Sequence, residues 1–341
     1  MKRQEYRSTH FLVQECLPEE GWTGSRGDGR RPEGVRFATP RQDALRRDFT
    51  INGMFYDPVT KKVIDYVGGR KDLDNGVIRT IGSPGERFAE DYLRMIRAVR
   101  FAVRLCFRIA PATARAVREH AHNIVHISGE RVFDELWKML AHKSGAQALR
   151  AMDKLGLAQQ VLPELFEQTD LWQVATTRVN HVAKMQAATL ALGAMMADLP
   201  PKTIRKIAGR WGASNDLRDE LIFYSKHLAG WRAATELALC DFKRLIASPH
   251  FGHLRTLWRF EERRLTGKES HTRQIARRAG GIPKDKIAPP PLLTGADLMG
   301  MGLREGPRLG QILRAVYNAQ LNEVIRSPKE AQAMARELIE T

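Results

Sequence analysis

Two runs of residues have the types and spacing for chemistry. The first is Arg46-Arg47-Asp48-Phe49-Thr50-Ile51-Asn52. The second is Glu90-Asp91-Tyr92-Leu93-Arg94-Met95-Ile96-Arg97-Ala98-Val99-Arg100-Phe101. Projected on a helix at roughly 100° per residue, Met95, Ile96, Val99, Ala102 and Val103 form an apolar stripe. Arg94, Arg97, Arg100 and Arg104 fall on the opposite arc. Glu90 and Asp91 sit at the helix N-terminus, where the dipole favours carboxylates. Two readings of the charges stay open. One is a solvated face with an Asp91–Arg94 pair one turn apart. The other is an anion, a triphosphate or an RNA backbone, laid across guanidiniums that otherwise repel one another. Asp91 and Arg94 also place a planar acceptor beside a planar donor. Such an edge imitates the hydrogen-bonding face of a base, and lets a protein choose a nucleotide without a nucleic-acid template. The first run by itself reads as a charged turn entering a strand. Its Asp48 reads as a structural partner of Arg46 or Arg47, or as a polar group near a nucleotide.

These side chains need elements to hold them. Residues 49–56 alternate weakly, Asp57-Pro58-Val59-Thr60 has turn chemistry, and Val63 to Val67 reads as a strand ended by Gly68-Gly69. The two strands are expected to pair as a hairpin. Val77 to Ile81 is a further short strand. From Pro84 the pattern turns helical, with apolar residues at helical spacing over 86–105, 111–122 and 128–141. Ser128 reads as an N-cap, and Tyr92 is expected to carry the 86–105 helix through its first turns. The fold class is α+β, with short antiparallel strands followed by a long all-α part. The expected divisions are 1–82 with a mobile loop over 18–35, then 83–142, 143–278, a Pro/Gly linker over 279–291, and 292–341. Gly295 to Gly310 reads as a small helical hairpin, either gripping phosphate at helix N-termini or acting as a plain cap.

A chain of 341 residues with 43% hydrophobic content and six Trp is globular, with length for about two domains. Its 55 basic and 39 acidic residues leave a net charge of +16, which suits a polyanion, nucleic acid first and an anionic membrane second. Cys16, Cys106 and Cys240 are too dispersed for a disulfide framework or a zinc site. No long apolar run or signal peptide is readable, so a cytoplasmic setting and no membrane partner are expected. No helix combines a basic face with a strongly aromatic apolar one, which weakens the membrane reading. One basic cluster comprises Lys202, Arg205, Lys206, Arg210 and Arg218. A denser one comprises Arg255, Arg259, Arg263, Arg264, Lys268, Arg273, Arg277 and Arg278, with Trp258 and Phe260 among them. Both read either as phosphate contacts or as solvated helix faces. His181, His227 and Asp198 lack an adjacent His-Asp pair, and no metal site is assigned to them.

With Gly68-Gly69-Arg70-Lys71-Asp72-Leu73 between them, the two runs resemble the bacterial-type (class II) tRNA nucleotidyltransferase / poly(A) polymerase family, the CCA-adding enzymes and their relatives. Asp28-Gly29-Arg30-Arg31-Pro32 resembles that family's loop before the strand. Ser128-Gly129-Glu130-Arg131-Val132-Phe133-Asp134-Glu135-Leu136 resembles its neck-helix motif. Leu293 to Leu298 and Gly302 to Pro307 resemble a C-terminal segment. The resemblance is continuous over about 28–140 and patchy to 341. It implies a palm, then a helical neck, body and tail. It implies that Arg47 contacts the incoming nucleotide and that Asp91 and Arg94 read the base of CTP or ATP. Arg97 and Arg100 then complete the pocket, with Asp48, Asn52, Glu90 and Arg131 in support. The implied partner is tRNA or another RNA 3′ end, with the basic clusters as its footprint, and no obligate protein partner. The implied cofactor is Mg²⁺, and the implied reaction is addition of CMP and AMP to build or repair the tRNA 3′-CCA. A bacterial poly(A) polymerase, an enzyme adding only the C's or only the A, and a catalytically dead RNA-binding remnant stay open.

The chain departs from that family in having Tyr92 where Pro is common and Gly53 where Ala is common. The more serious departure is upstream. The family's Gly-Gly-x-x-x-Arg-Asp loop and its metal-binding Asp-x-Asp pair are not found, and Glu19-Glu20 beside Pro18 has the wrong spacing. The expectation is a palm lacking its N-terminal part and its metal ligands. An incomplete sheet exposes an unpaired edge, so aggregation or partial disorder is expected over 1–45.

Overall fold

The computed structural model describes residues 14–15 and 39–340. The 18–35 loop, Glu19-Glu20 and Asp28 to Pro32 lie outside the described residues. The chain divides into two compact units at Leu221/Ile222.

In the first unit, α1 (Pro40–Arg46) opens on a capping box. The Thr39 hydroxyl accepts the Gln42 N–H, and the Gln42 side chain accepts the Thr39 N–H. Residues 40–45 are therefore helical where partial disorder is expected. Strand β1 (Gln14–Glu15) pairs in parallel with β2 (Met54–Asp57), and β2 pairs antiparallel with β3 (Lys62–Asp65). The hairpin matches the expectation. Its turn is tied by the Asp57 carboxylate, which accepts from the Val59 and Thr60 N–H groups and the Thr60 hydroxyl. The strand does not begin at 49. Thr50–Asn52 is a 3₁₀ turn, because Asp48 accepts from both the Phe49 N–H and the Asn52 amide and curls the chain.

Gly68-Gly69 leads into α2 (Gly69–Asp74). Gly68 has φ +77°, and a Cβ on Gly69 would meet the Thr50 carbonyl oxygen at 2.1 Å, so each glycine is required for its own reason. Strand β4 (Val77–Ile78) pairs in parallel with β5 (Arg108–Ile109).

Between these strands lie α3 (Pro84–Glu90) and α4 (Leu93–Leu105). The single helix expected over 86–105 is broken at Asp91-Tyr92. Asp91 is extended, at φ −161° and ψ 103°, and its carboxylate accepts the Leu93 N–H at 3.1 Å. This local bond from the Asp91 side chain to the backbone two residues on wins over continued helix.

Helices α5 (Pro111–His120), α6 (Gly129–Leu140), α7 (Gly145–Lys154), α8 (Leu157–Val161), α9 (Leu171–Val182), α10 (Ala188–Met196) and α11 (Pro201–Arg210) complete this unit. Ser128 occupies the N-cap of α6, but its side chain makes no capping bond. Of the stripe on α4, Met95, Ile96, Val99 and Ala102 are buried as expected, while Val103 is only partly buried. That helix packs against α6 and α7, which bury Leu136, Met139, Leu149 and Met152.

Helix α12 (Asn215–His227) carries the chain across the division. The second unit continues with α13 (Leu239–Ala247), α14 (Phe251–Thr266) and α15 (Ser270–Gly280). A four-residue helix, α16 (Lys284–Ile287), falls within the expected linker. Helices α17 (Gly295–Gly300), α18 (Pro307–Leu321) and α19 (Pro328–Glu340) share a core built on Leu293, Leu298, Ile312 and Val316. At α17, the Asp297 carboxylate accepts the Thr294 N–H and closes a capping box. Among the described residues no helix is long and apolar enough to cross a membrane.

The α14–α15 corner is built on Glu262, whose side chain is buried. Its carboxylate accepts from the His271 and Thr272 N–H groups, each at 2.8 Å, and from the Thr272 hydroxyl at 2.7 Å. Burial pushes the Glu262 pKa up, but the Thr272 and His271 donors overrule it and hold it at about 2. Glu262→Ala is expected to destabilise this corner by roughly 2–3 kcal/mol near neutral pH, the scale of hydrogen bonds to a charged group. The folded pKa is depressed. The contribution is therefore complete above the ordinary Glu value of about 4.3 and drains as pH falls towards about 2. Hydrogen exchange of the α14–α15 amides against pH checks this. The gap between variant and wild type is expected to close on acidification.

Candidate nucleotide site

The two runs meet through side chains of α1, α3, α4 and α6. Arg87 on α3 donates from Nη2 to the Leu45 and Arg47 carbonyls at 2.7 and 2.5 Å, closing the C-terminal end of α1 with a cation. Its Nη1 bonds both oxygens of Glu90. Arg47 donates from Nη2 to Asp43 at 2.8 Å and from Nη1 to the Asn52 carbonyl at 3.1 Å. Its guanidinium lies 5.0 Å from the Phe55 ring centre.

Asp48 does not pair with Arg46 or Arg47, which both use Asp43 at 3.3 and 2.8 Å. Its buried carboxylate accepts from Arg97 Nε at 2.8 Å and from the Asn52 amide at 2.9 Å. Arg97 also reaches Glu135 at 3.4 Å. Glu135 further accepts from Arg100 Nε at 2.5 Å and from Lys138 at 3.3 Å. The Glu135 side chain is 3% exposed and that of Arg100 8%. Burial works against the charge on Arg97, but Asp48 and then Glu135 hold its pKa above the ordinary guanidinium range. The anions lying across the arginine arc are thus Asp48, Glu90 and Glu135 of the protein itself.

Asp91 and Arg94 flank the α3–α4 break. Asp91 accepts from Arg131 of α6 at 2.7 Å. Arg94 donates from Nη1 to the Arg87 carbonyl at 2.9 Å and to Glu90 at 2.5 Å. Among the described residues the two make no ion pair with each other, so the expected i,i+3 pair is not formed. Both stay partly open, at 26% for Asp91 and 17% for Arg94. Beside them the Tyr92 ring lies 6.3 Å from His120 and 6.4 Å from His126.

Three contributors were not marked in the sequence. Arg87 had only its place one turn before Glu90 as a signal. Glu135 stood inside the neck-like run without a role of its own. The Tyr92 and histidine grouping joins segments with no readable link.

The basic clusters divide. Lys202, Arg205, Arg255, Arg259, Arg263 and Arg277 are exposed. Arg264 pairs with Glu261 at 2.7 Å. Arg210 is committed to Glu164 at 2.8 Å and the Val161 carbonyl at 3.1 Å. Arg278 bonds the Thr235 and Leu237 carbonyls and lies over Phe242. Arg210 and Arg278 therefore hold the fold. Trp258 is fully buried. Asp198 pairs with buried Arg178. Among the described residues no group of three or more His, Cys, Asp or Glu side chains fits a metal ion.

Residues 22–79 match the family described as Poly A polymerase head domain. Residues 106–169 match that described as Probable RNA and SrmB- binding site of polymerase A. The CCA-adding enzyme of Lacticaseibacillus paracasei is 32% identical over 324 residues, covering 87% of this chain and 72% of that protein. Poly(A) polymerase I of Escherichia coli O6:H1 is 43% identical over 129 residues, 38% of this chain and 28% of that protein. Likewise, the chain spans only 34% of the Bacillus licheniformis CCA-adding enzyme it matches at 43% identity. The crystal structure of Bacillus stearothermophilus CCA-adding enzyme in complex with CTP matches with a TM-score of 0.67 at 26% identity, over 90% of this chain and 75% of that one.

Glu135→Ala is expected to leave Arg100 buried without its anion and to destabilise the first unit by about 3–5 kcal/mol, the scale for breaking one side of a buried ion pair. Urea unfolding of the variant and wild type measures this. A loss below about 1 kcal/mol, the scale of an exposed pair, would count against the burial argument.

Proposed function

The chain belongs to the family of CCA-adding enzymes and bacterial poly(A) polymerases, and we propose that it is a cytoplasmic, template-independent RNA nucleotidyltransferase adding CMP and AMP from CTP and ATP to the 3′ end of tRNA. The proposed reaction is attack of the RNA 3′-hydroxyl on the α-phosphate, with pyrophosphate leaving.

One observation carries the reading. Asp91 and Arg94 sit at the α3–α4 break and are held by Arg131 and Glu90 rather than by each other. Each keeps capacity for a ligand. Carboxylate oxygens have two acceptor sites apiece, and Arg94 Nε and Nη2 have no hydrogen-bond partner among the described residues. Cytosine and adenine both present an amino donor next to a ring-nitrogen acceptor. Asp91 accepts the first and Arg94 donates to the second. Uracil and guanine reverse this order, setting a carbonyl against the carboxylate and an N–H against the guanidinium. One fixed pair thus accepts C and A and rejects U and G, since a mismatch leaves buried polar groups unpaired.

The other residues take supporting roles in this reading. Arg97 and Arg100 fix the rotation of α4 through Asp48 and Glu135. Arg131 orients Asp91. Arg47, exposed in part beside Phe55, contacts the nucleotide. When bound, Mg²⁺ would supply activation of the 3′-hydroxyl and neutralisation of the triphosphate. The carboxylates among the described residues do not fit it.

A second reading, poly(A) polymerase, rests on the 43% identity to the Escherichia coli enzyme, equal to that of the Bacillus licheniformis CCA-adding enzyme. The same pair selects adenine in either case.

Photocrosslinking of labelled CTP, ATP, UTP and GTP tests the selection step without needing turnover. The wild type is expected to take CTP and ATP over UTP and GTP, and Asp91→Ala or Arg94→Ala to cut that preference about tenfold, the discrimination of one good bidentate contact. Equal labelling by all four nucleotides in the wild type would sink the reading. Incorporation on tRNA lacking its 3′ terminus then separates the two activities: an ordered C, C, A product against a run of A.

A further inference from the structure

The second unit encloses a cavity of about 380 Å³ that shares no residue with the Asp91–Arg94 site. Its volume lies in the range of sites for small organic ligands. The walls are aromatic. The Phe223 and His227 ring centres are 4.6 Å apart. Trp258 is locked by donation from Nε1 to the His227 carbonyl at 2.8 Å and by edge-on packing of Phe251. Trp258 is fully buried and backs the wall, while Phe223 and His227 in front of it are partly open.

The polar groups are few and placed at one side. The half-buried His227 imidazole has no hydrogen-bond partner among the described residues. Burial, then the charge of Lys226, lowers its pKa, so near neutral pH it offers one donor and one acceptor. At the mouth, Asp241 and Arg244 of α13 lie 3.7 Å apart and are 56% and 38% exposed. A purely apolar ligand would leave the imidazole unused, and a small free anion would be opposed by Asp241. A flat heterocycle with a polar edge and a tethered phosphate satisfies all of these groups.

We propose that this cavity takes an unstacked nucleobase of the bound RNA, its ring against Phe223, its edge towards His227 and Asp241, and its phosphate on Arg244. Single-stranded and loop RNA is recognised through bases splayed onto aromatic side chains. The Asp241 carboxylate favours bases with an exocyclic amino group over uracil. The inference rests on the RNA-binding reading above.

Gly230 supplies the test. Its backbone lies outside the left-handed region, and an added Cβ would meet only the Trp258 ring, at 3.7 Å. Gly230→Leu therefore fills the cavity without breaking the fold. Phe223→Leu is the second variant, removing the ring without filling the space. Each is made in the full chain, with far-UV circular dichroism as the check on folding. AMP, CMP and UMP are titrated by tryptophan fluorescence in an Asp91→Ala/Arg94→Ala background, which silences the other nucleotide site. Saturable quenching by AMP and CMP, weaker with UMP and lost in both cavity variants, is expected. With Asp91 and Arg94 intact, both variants are expected to weaken tRNA binding about fivefold or more, the lower end for one lost base stack. The salt slope stays the same, since the phosphate contacts remain. Unchanged AMP quenching and unchanged tRNA affinity in both folded variants would overturn the proposal. AMP quenching that depends on Gly230, in a chain that shows no salt-sensitive tRNA binding, would overturn RNA as the source of the base and the RNA reading with it.

Discussion

The buried carboxylate of Glu135 is the constraint on which the candidate site depends. Helix α4 is amphipathic with arginines on its polar arc, and in this fold Arg94, Arg97 and Arg100 of that arc are at least partly buried while Arg104 stays exposed. Part of it turns towards α6. Arg100 is inside, and a buried guanidinium without an anion costs several kcal/mol. Glu135 supplies the anion, and Asp48 from the first run supplies a second one to Arg97. Such pairs add little net stability over well-packed apolar groups. What they add is geometry. Two carboxylates from different segments fix the rotation of α4, and with it the direction in which Arg94 leaves the helix.

The break before α4 follows from the same economy of charge. Asp91 spends one oxygen on the Leu93 N–H and the other on Arg131. A continuous helix would have turned this carboxylate along the α4 surface, one turn from Arg94, where the two would neutralise each other. The break separates them and gives each a different holder. Two charged groups held near each other but not joined can present an acceptor and a donor to a third party. Pre-positioning of this kind removes ordering cost from binding. Arg87 completes the frame, since it closes α1 and holds Glu90, which in turn holds Arg94.

Much of the fold could be read from the chain because it rests on local signals. The β2–β3 hairpin has a turn residue, Asp57, that makes its own bonds. The Met95 to Ala102 stripe has the period of a helix and is buried. The α3–α4 break was not readable because periodicity runs straight through it. Only the bond from the Asp91 side chain to the Leu93 N–H decides the matter, and Asp at a helix start looks the same whether it breaks or continues the helix. The partners of the arginines were hidden for a different reason. Asp48 and Arg97 are far apart in sequence, and a lone Glu135 on an amphipathic helix reads as a surface residue. Arg210 and Arg278 likewise resemble Arg255 in composition and neighbours, yet they fasten backbone carbonyls while Arg255 faces solvent.

That division explains how a chain with net charge +16 folds and still leaves basic side chains at its surface. Six of its carboxylates are drawn inward. Asp48, Asp72, Glu135, Glu164, Glu261 and Glu262 are all buried, and most of them pair with arginine. Each such pair is neutral and adds little field beyond its own neighbourhood. The surplus positive charge is therefore left on side chains that reach solvent. Glu269 shows the same logic at the surface, where one nearly buried carboxylate gathers the exposed Arg259, Arg263 and Arg273 within 3.8 Å. Three cations around one anion keep a net charge of their own sign and are spaced by their common partner instead of repelling freely. A backbone of phosphates can meet such a group without first paying to assemble it, so the acidic residues that lower the net charge also help to shape the basic surface.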